Sequence, residues 1–495
     1  MNLAEYFENV IKVLCCIFIF SNFGFSQVEN EEVKSFLSRE NRGLKATDIE
    51  DFEISSYHIS APSSLKHIYF HQRYKGISIF NTASSLHLRQ NGTYFHSNLS
   101  FQRDIEASIL LNIPKKQLTA VEGLDKVAEY LNVNVNTEFK YINNPKNPEQ
   151  KSLIERNVLS LRDIPARLVY FPSFSINGTK STSKFAEERK LELAWEYFVE
   201  MSDQLHFWHI IIDAYSGAII YQKNLVITCY DESNHDNISH GVSLENNCFE
   251  REDIAKSNTL MVGGYRVFPF PIESPGHGVR QLINNPDMSP GSPFGWHDTN
   301  GVAGPEYTIT RGNNTHTYED GNNPGFSPNG GAGLVFDFPF NPVFTPNVDE
   351  SEAAALTNLF YWTNLIHDVT YNHGFTEAAG NFQVNNYGRG GVGADDVMAE
   401  GQDGSGTCDA NFATPPDGSS GRMQMHLWTS PTPDADASFD NGIIAHEFGH
   451  GLSNRLTGGP SNTSCLSHSE QGGEGWSDWL ALILTIEPGD SGAMG

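Results

Sequence analysis

The chain is 495 residues long and carries 32 Lys+Arg against 60 Asp+Glu, a formal net charge of −28. That length allows two or three domains. So acidic a composition excludes nucleic acid as a partner, because phosphate binding needs basic patches. Beyond the N-terminus no stretch is apolar and long enough to serve as a membrane anchor.

Residues 1–26 read as a signal peptide. Val13 to Phe20 is an apolar run too short to span a bilayer, and Gly24 and Ser26 supply small residues for cleavage. The charged end departs from the usual pattern, with Glu5 and Glu8 set against Lys12. The expected location is secreted and extracellular. Cys15 and Cys16 leave with the signal, whereas Cys229, Cys248, Cys408 and Cys465 remain, an even set suited to an oxidising compartment. Their order pairs Cys229 with Cys248 and Cys408 with Cys465.

Residues 27–228 contain two β-rich modules. In the first, over about 45–100, Ile68, Phe70, Gln72 and Tyr74 alternate with Tyr69, His71 and Arg73, the pattern of a strand. Gly76 turns the chain into Ile77 to Phe80, and Asn91-Gly92 after Leu86-His87-Leu88 is a hairpin signal. Histidines there read as surface strand residues. In the second module, over about 110–228, Thr119 and Glu122 form a capping box for a helix over 119–132. Strands follow at 193–197, 207–212 and 218–221. No catalytic constellation appears in either module, which fits a folding assistant and inhibitor. Residues 229–260 are polar and aperiodic, a linker where activating cleavage is expected. A further domain is placed at 261–495, and the candidate chemistry described below falls within it.

Residues 262–348 are dense in Gly, Pro, Asn and aromatics and predict irregular β structure with long loops. Asp320, Asn322 and Asn323 make calcium a secondary expectation, since Gly-Asn-Pro clusters are usually turns. A long helix is predicted from Glu350 to His373. His367 and His373 on it are six apart and do not share a face, so core packing is expected. A strand-like segment follows at 381–387.

The chemistry gathers at His446-Glu447-Phe448-Gly449-His450. Helical residues four apart share a face, so His446 and His450 can grip one metal ion, and Glu447 can reach a water on it. Ile444, Phe448 and Leu452 form a parallel apolar stripe, and Gly458-Gly459-Pro460 closes the helix. Gly449 and Gly451 are poor helix formers, which predicts close approach of another backbone. The best third ligand is Glu474, which opens an apolar helix; Asp478, one turn on, can accept the outer N–H of a ligating histidine.

The runs HEFGHGLSNRLTGG and GGEGWSDW, with SPFGWH at 292–297 and YTITRGNN at 307–314, resemble the fungalysin family of secreted zinc metalloendopeptidases, relatives of thermolysin. His67 to Asn81 resembles the propeptide module of these zymogens. The resemblance implies an α+β fold, with a two-module propeptide followed by the N-terminal part of a thermolysin-like peptidase domain. It implies one Zn2+ per chain, held by His446, His450 and Glu474, with Glu447 as catalytic base. Asp409 and Ala410 align with the Asn-Ala pair that contacts substrate backbone in thermolysin-like enzymes, on an edge strand against which a peptide lies; Asp409 departs from the asparagine. Substrates are proteins or peptides, and the propeptide is an intramolecular inhibitor. The thermolysin pattern also has a tyrosine between the second and third ligands, where this sequence has none and offers only His468. These relatives carry a helical lobe after the glutamate, so the chain is expected to be a fragment. The alternatives are a catalytically incompetent zinc-binding fragment and a propeptide-type inhibitory binding protein.

Overall fold

The computed structural model describes residues 28–490 except 41–42, 61–62, 110–115, 145, 175–188, 229–262, 322–324, 341–348, 431, 467–469 and 488–489. The expected signal peptide, the whole of the expected linker 229–260 with Cys229 and Cys248, and Asn322, Asn323 and His468 thus lie outside the described residues. The fold is α+β, mostly sheet with a few helices. It divides into two units: Met1–Leu225 with His373–Gly380 and Asn454–Gln471, and Val226–Asn372 with Asn381–Ser453 and Gly472–Gly495.

The first unit opens with a helix over 28–39 and an antiparallel sheet of β1 (Phe52–Ile59), β2 (Lys66–Tyr74), β3 (Ser84–Leu88) and β4 (Tyr94–Asn98), in that order, with a short strand at Ile77–Ser78 also on β2. Alternation sends Ile68, Phe70, Leu86 and Leu88 to the helix, where they pack with Val33, Phe36 and Leu37. Burying each such side chain contributes about 1.5–3 kcal/mol. The odd-numbered residues of β2, His67, Tyr69 and His71, take the opposite face. They are not surface residues, as the alternation alone implied: His67 and His71 are half-buried and Tyr69 is buried.

Helix α1 (Ala120–Tyr130) follows, then β5 (Tyr141–Asn143), β6 (Ser152–Ile154), β7 (Ile164–Phe174), β8 (Arg189–Glu200), β9 (Phe207–Asp213) and β10 (Ile219–Asn224), an antiparallel sheet in sequential order. The capping box at Thr119 and Glu122 is formed in both directions. Leu124, Val127 and Ala128 of α1 pack on Trp195, Tyr197, Ile210 and Ile212. Gly123 sits within this helix because an added Cβ would come 2.1 Å from the Tyr197 hydroxyl, which donates to Ala120 O.

The second unit begins with β11 (Val226–Thr228), β12 (Gly264–Val267), β13 (Gln281–Asn284), β14 (Thr315–Glu319) and β15 (Val335–Phe336). Helix α2 (Asp349–Asn372) comes next and is a core helix, with Leu356, Phe360, Trp362 and Ile366 fully buried. His367 behaves as expected for a packed residue: it is buried, with Nδ1 3.0 Å from Asp368 and Nε2 3.2 Å from Gln383. Then come β16 (Val397–Thr407), β17 (Ala410–Ala413), β18 (Arg422–Trp428), β19 (Ala435–Asp436), α3 (Asn441–Thr457) and α4 (Gly473–Thr485). The main sheet runs β11-β17-β18-β16-β14, with β19 paired to β18.

Two expectations are corrected here. Residues 381–387 form no strand; Phe382 is buried against Phe412 and Phe448, while Val384 N–H donates to Asn313 O in another loop. Asn381, Phe382 and Gln383 are all buried in this loop, so its run of bulky and amide side chains fills the interior without forming a strand. Cys408 and Cys465 are both free thiols. Cys408 Sγ accepts from Thr429 N–H at 3.3 Å in the second unit, and Cys465 lies against Gly458 in the first, so each sulfur is fixed in its own surroundings.

Candidate active site

Helix α3 is pinned at its start. The Asp440 carboxylate accepts the Ile443 N–H at 3.0 Å, offsetting one of the donors a helix N-terminus leaves without a partner. The Asn441 amide donates to Ile272 O and accepts from Asn358 of α2. Further along, Ile444 and Phe448 are fully buried, and Phe448 meets Phe382 edge-on with ring centroids 5.9 Å apart. That burial orients the other face, which bears His446 and His450.

Gly449 decides how near α4 can come. A Cβ there would lie 2.8 Å from Ser477 Cα, and one on Gly451 would lie 2.8 Å from the Phe412 ring. At Gly451 the neighbours are the Phe412 and Phe382 rings, whereas at Gly449 the close backbone approach expected from these glycines is present. It brings Glu474, three residues before Ser477, up to the histidine face.

The result is a tight triangle. His446 Nε2 and His450 Nε2 stand 3.1 Å apart, and each is 3.3 Å from Glu474 Oε2. A tetrahedral ion with bonds of about 2.0–2.1 Å holds its ligand atoms about 3.3 Å from one another. Two imidazole nitrogens and one carboxylate oxygen at this spacing are a donor set that fits Zn2+. His446 Nδ1 donates to Asp478 Oδ1 at 2.9 Å, which leaves Nε2 facing the triangle. Glu447 lies on the same helix and is only 1% exposed. The triangle is closed on the α3 side, where the His450 side chain is 1% exposed, and open on the other, where Glu474 is 52% exposed.

Electrostatics reflect the crowding. Burial pulls the His446 pKa down, but the hydrogen bond to Glu474 and the charges of Glu447 and Asp478 outweigh it, so the imidazole ends above its ordinary value. Hydrogen bonds from His446 and His450 hold the Glu474 carboxyl well below the carboxylate range. These are the shifts of a site that favours positive charge at its centre.

Of the remaining predicted residues, Asp409 precedes β17 and its Oδ1 accepts the Ala410 N–H at 2.8 Å; burial raises its pKa. Ala410 begins β17 and is buried. The side of β17 away from β18 carries β11, antiparallel, with Val226 opposite Ala413, Ile227 opposite Phe412 and Thr228 opposite Asn411. This pairing was not foreseen, although Leu225-Val226-Ile227 marks an apolar run at the edge of the polar linker. Asp320 joins Glu400 and Asp403 in a buried carboxylate cluster, in which Asp403 already accepts from Ser405 and Gln424 and Glu400 from Tyr318.

Residues 264–494 match the model of the fungalysin metallopeptidase family (M36), and residues 50–101 match the fungalysin/thermolysin propeptide motif. An extracellular metalloproteinase MEP of Pyricularia oryzae is 31% identical over 489 residues, covering 94% of this chain and 67% of that protein. The chain belongs to the fungalysin family. Other relatives are extracellular metalloproteinase 5 of Arthroderma otae, 33% identical over 89% of this chain, and an extracellular metalloproteinase of Pyrenophora tritici-repentis, 34% identical over 89%. This fungalysin chain spans 62% and 61% of their respective lengths. Among its described residues no helix is long and apolar enough to cross a membrane. Helix α4 turns Trp476, Trp479, Leu482 and Ile483 outward, between 48% and 67% exposed.

Proposed function

We propose that the chain is the zymogen of a secreted zinc-dependent metalloendopeptidase that hydrolyses internal peptide bonds. His446, His450 and Glu474 hold one Zn2+, with Asp478 fixing the tautomer of His446. The observation that carries this reading is the triangle of donor atoms 3.1–3.3 Å apart. A zinc ion held there would supply a water with its pKa lowered to about 7 and a charge to polarise the scissile carbonyl. Glu447, buried beside the ligands, takes the proton from the attacking water and delivers it to the leaving amine. Asp409 and Ala410 lie at the head of the strand that aligns substrate backbone.

The intramolecular inhibitor reading is supported by β11. A substrate peptide would add to the open edge of β17 in the manner of β-augmentation, and residues 226–228 of the chain already pair there. The polar linker at 229–260 is the cleavage region that would free this edge. The apolar face of α4 is where the family's helical lobe would pack.

Metal analysis of the purified chain and casein hydrolysis with and without a zinc chelator test the reading. One zinc per chain and chelator-sensitive hydrolysis are expected. A chain without zinc would end it; zinc without hydrolysis would favour the second reading, a zinc-binding fragment that does not turn over.

A further inference from the structure

Two carboxylate clusters away from α3 are accounted for by the chain's own donors. Asp320, Glu400 and Asp403 are served as described above, and Glu53, His71 and Glu149 are met by Arg73 and Lys151. A different cluster lies in the first unit. His58 on β1 pairs with His67 on β2, His67 with His87 on β3, and His87 with His96 on β4. Four histidines thus occupy one rung across four strands.

Their contacts are those of neutral rings. His58 and His67 stack with centroids 4.8 Å apart and planes at 13°, and His87 stacks on His96 at 6.0 Å and 7°. His67 Nδ1 faces His87 Nδ1 at 2.8 Å, a hydrogen bond that needs one nitrogen protonated and the other bare. His58 is 8% exposed and its Nδ1 has no hydrogen-bond partner. The ionisable groups nearby are Tyr69 on the same face, 6.1 Å from His58 and 6.3 Å from His87, and the His71–Glu53 pair further along β2. From the segment packed on that face comes Cys465, with Lys223 of β10 beside it. Among the described residues no carboxylate offsets the burial of His58, His67 or His87. Burial comes first for all three and lowers them, and for His58 and His87, both at about 4, the neighbouring histidines add to it.

The same face grips a segment of the peptidase half. Tyr69 Oη donates to Leu456 O at 3.2 Å, and Gly459, with φ +83°, lies so close that a Cβ would come 2.8 Å from the Tyr69 ring. Residues 454–471, which cluster with the first unit, join α3 to α4, the helices that carry the three donor atoms. We propose that the His58–His67–His87–His96 row is an acid-operated latch: protonation sets like charges against one another across β1–β4 and releases the hold of this sheet on residues 454–471. As a device for activation the latch rests on the inhibitor reading above; as a structural transition it does not.

Hydrogen–deuterium exchange on the full chain, carried in a Glu447→Gln background to stop self-cleavage and corrected for intrinsic rates, tests it. Between pH 7 and pH 5, protection over residues 52–98 and 454–471 is expected to fall together, by about tenfold or more. In the His58→Gln/His67→Gln/His87→Gln variant, which replaces the inner rings by uncharged hydrogen-bonding groups, the fall is expected to shrink to about twofold. Unchanged protection in the parent chain, or an equal loss in the variant, overturns the proposal. Should the variant not fold, imidazole NMR titration of the parent chain decides: His58 and His87 titrating more than about one pH unit below exposed histidines supports the latch, and ordinary titration overturns it. Neither readout contains a peptidase step, so failure of the latch and failure of the inhibitor reading remain distinguishable.

Discussion

The chain holds two sets of close-packed histidines, and they are tuned in opposite directions. On α3, His446 faces carboxylates from its own helix and from α4, and its pKa is raised despite burial. On the β1–β4 rung, His58 is buried and His87 half-buried, but their neighbours are other histidines, and their pKa values fall to about 4. Burial alone drives both sets toward neutrality. What sits next to the ring decides the outcome: acids on adjoining helical turns build a place for a cation, whereas imidazoles on adjoining strands build a place that repels one.

The sharpest way to break this contrast is at Glu447. Glu447→Gln leaves the three donor atoms in place and should reduce peptide hydrolysis by roughly 10²–10⁴-fold, the range of general-base contributions, while the zinc content stays at one per chain. Loss of zinc with activity would mean that Glu447 belongs to the metal-holding set. Next comes Asp478→Asn, which removes the acceptor for His446 Nδ1 and should weaken zinc binding about 10–100-fold in a competition titration with a chromophoric chelator. Gly449→Ala should force α4 away from α3 and destabilise the second unit by about 1–3 kcal/mol in urea unfolding, with zinc affinity falling alongside.

The pH dependence sharpens the other half of the contrast. For His58 and His87 the folded pKa of about 4 lies below the ordinary 6.5, so the unfolded chain binds protons first as pH falls. Stability is therefore full above about pH 6.5 and is lost as pH drops toward 4. A melting temperature roughly 5 °C lower at pH 5 than at pH 7 is expected, read by the exchange or fluorescence of the first unit. The smallest effect is at α1, remote from both sets: Thr119→Ala should cost about 1 kcal/mol through the lost cap and leave both histidine sets untouched.

What the sequence disclosed followed the range of the interactions. The face shared by His446 and His450, the capping box at Thr119 and the turn at Asn91-Gly92 are local, and each is present in the fold. Gly449 and Gly451 announced a close neighbour without saying which; only the packing names Ser477 and Phe412. The histidine rung depends on the register of three separate strand pairings, so four residues spread over His58 to His96 gave no sign of meeting. Phe382 and Val384 imitated a strand because residues that fill the interior from a loop have the same composition as strand residues; Asn381, Phe382 and Gln383 are all buried. The thiol pairing inferred for Cys408 and Cys465 failed for a like reason: order along a chain says little about which sulfurs become neighbours.

Helix α4 has one more consequence. Trp476, Trp479, Leu482 and Ile483 make a strip of oily surface around the same turns that carry Glu474. Proteins seldom leave such a strip bare to solvent. A sample of these residues should therefore bind hydrophobic dyes and adhere to copies of itself, and light scattering alongside each assay would reveal how much of the donor site is being masked by that adhesion.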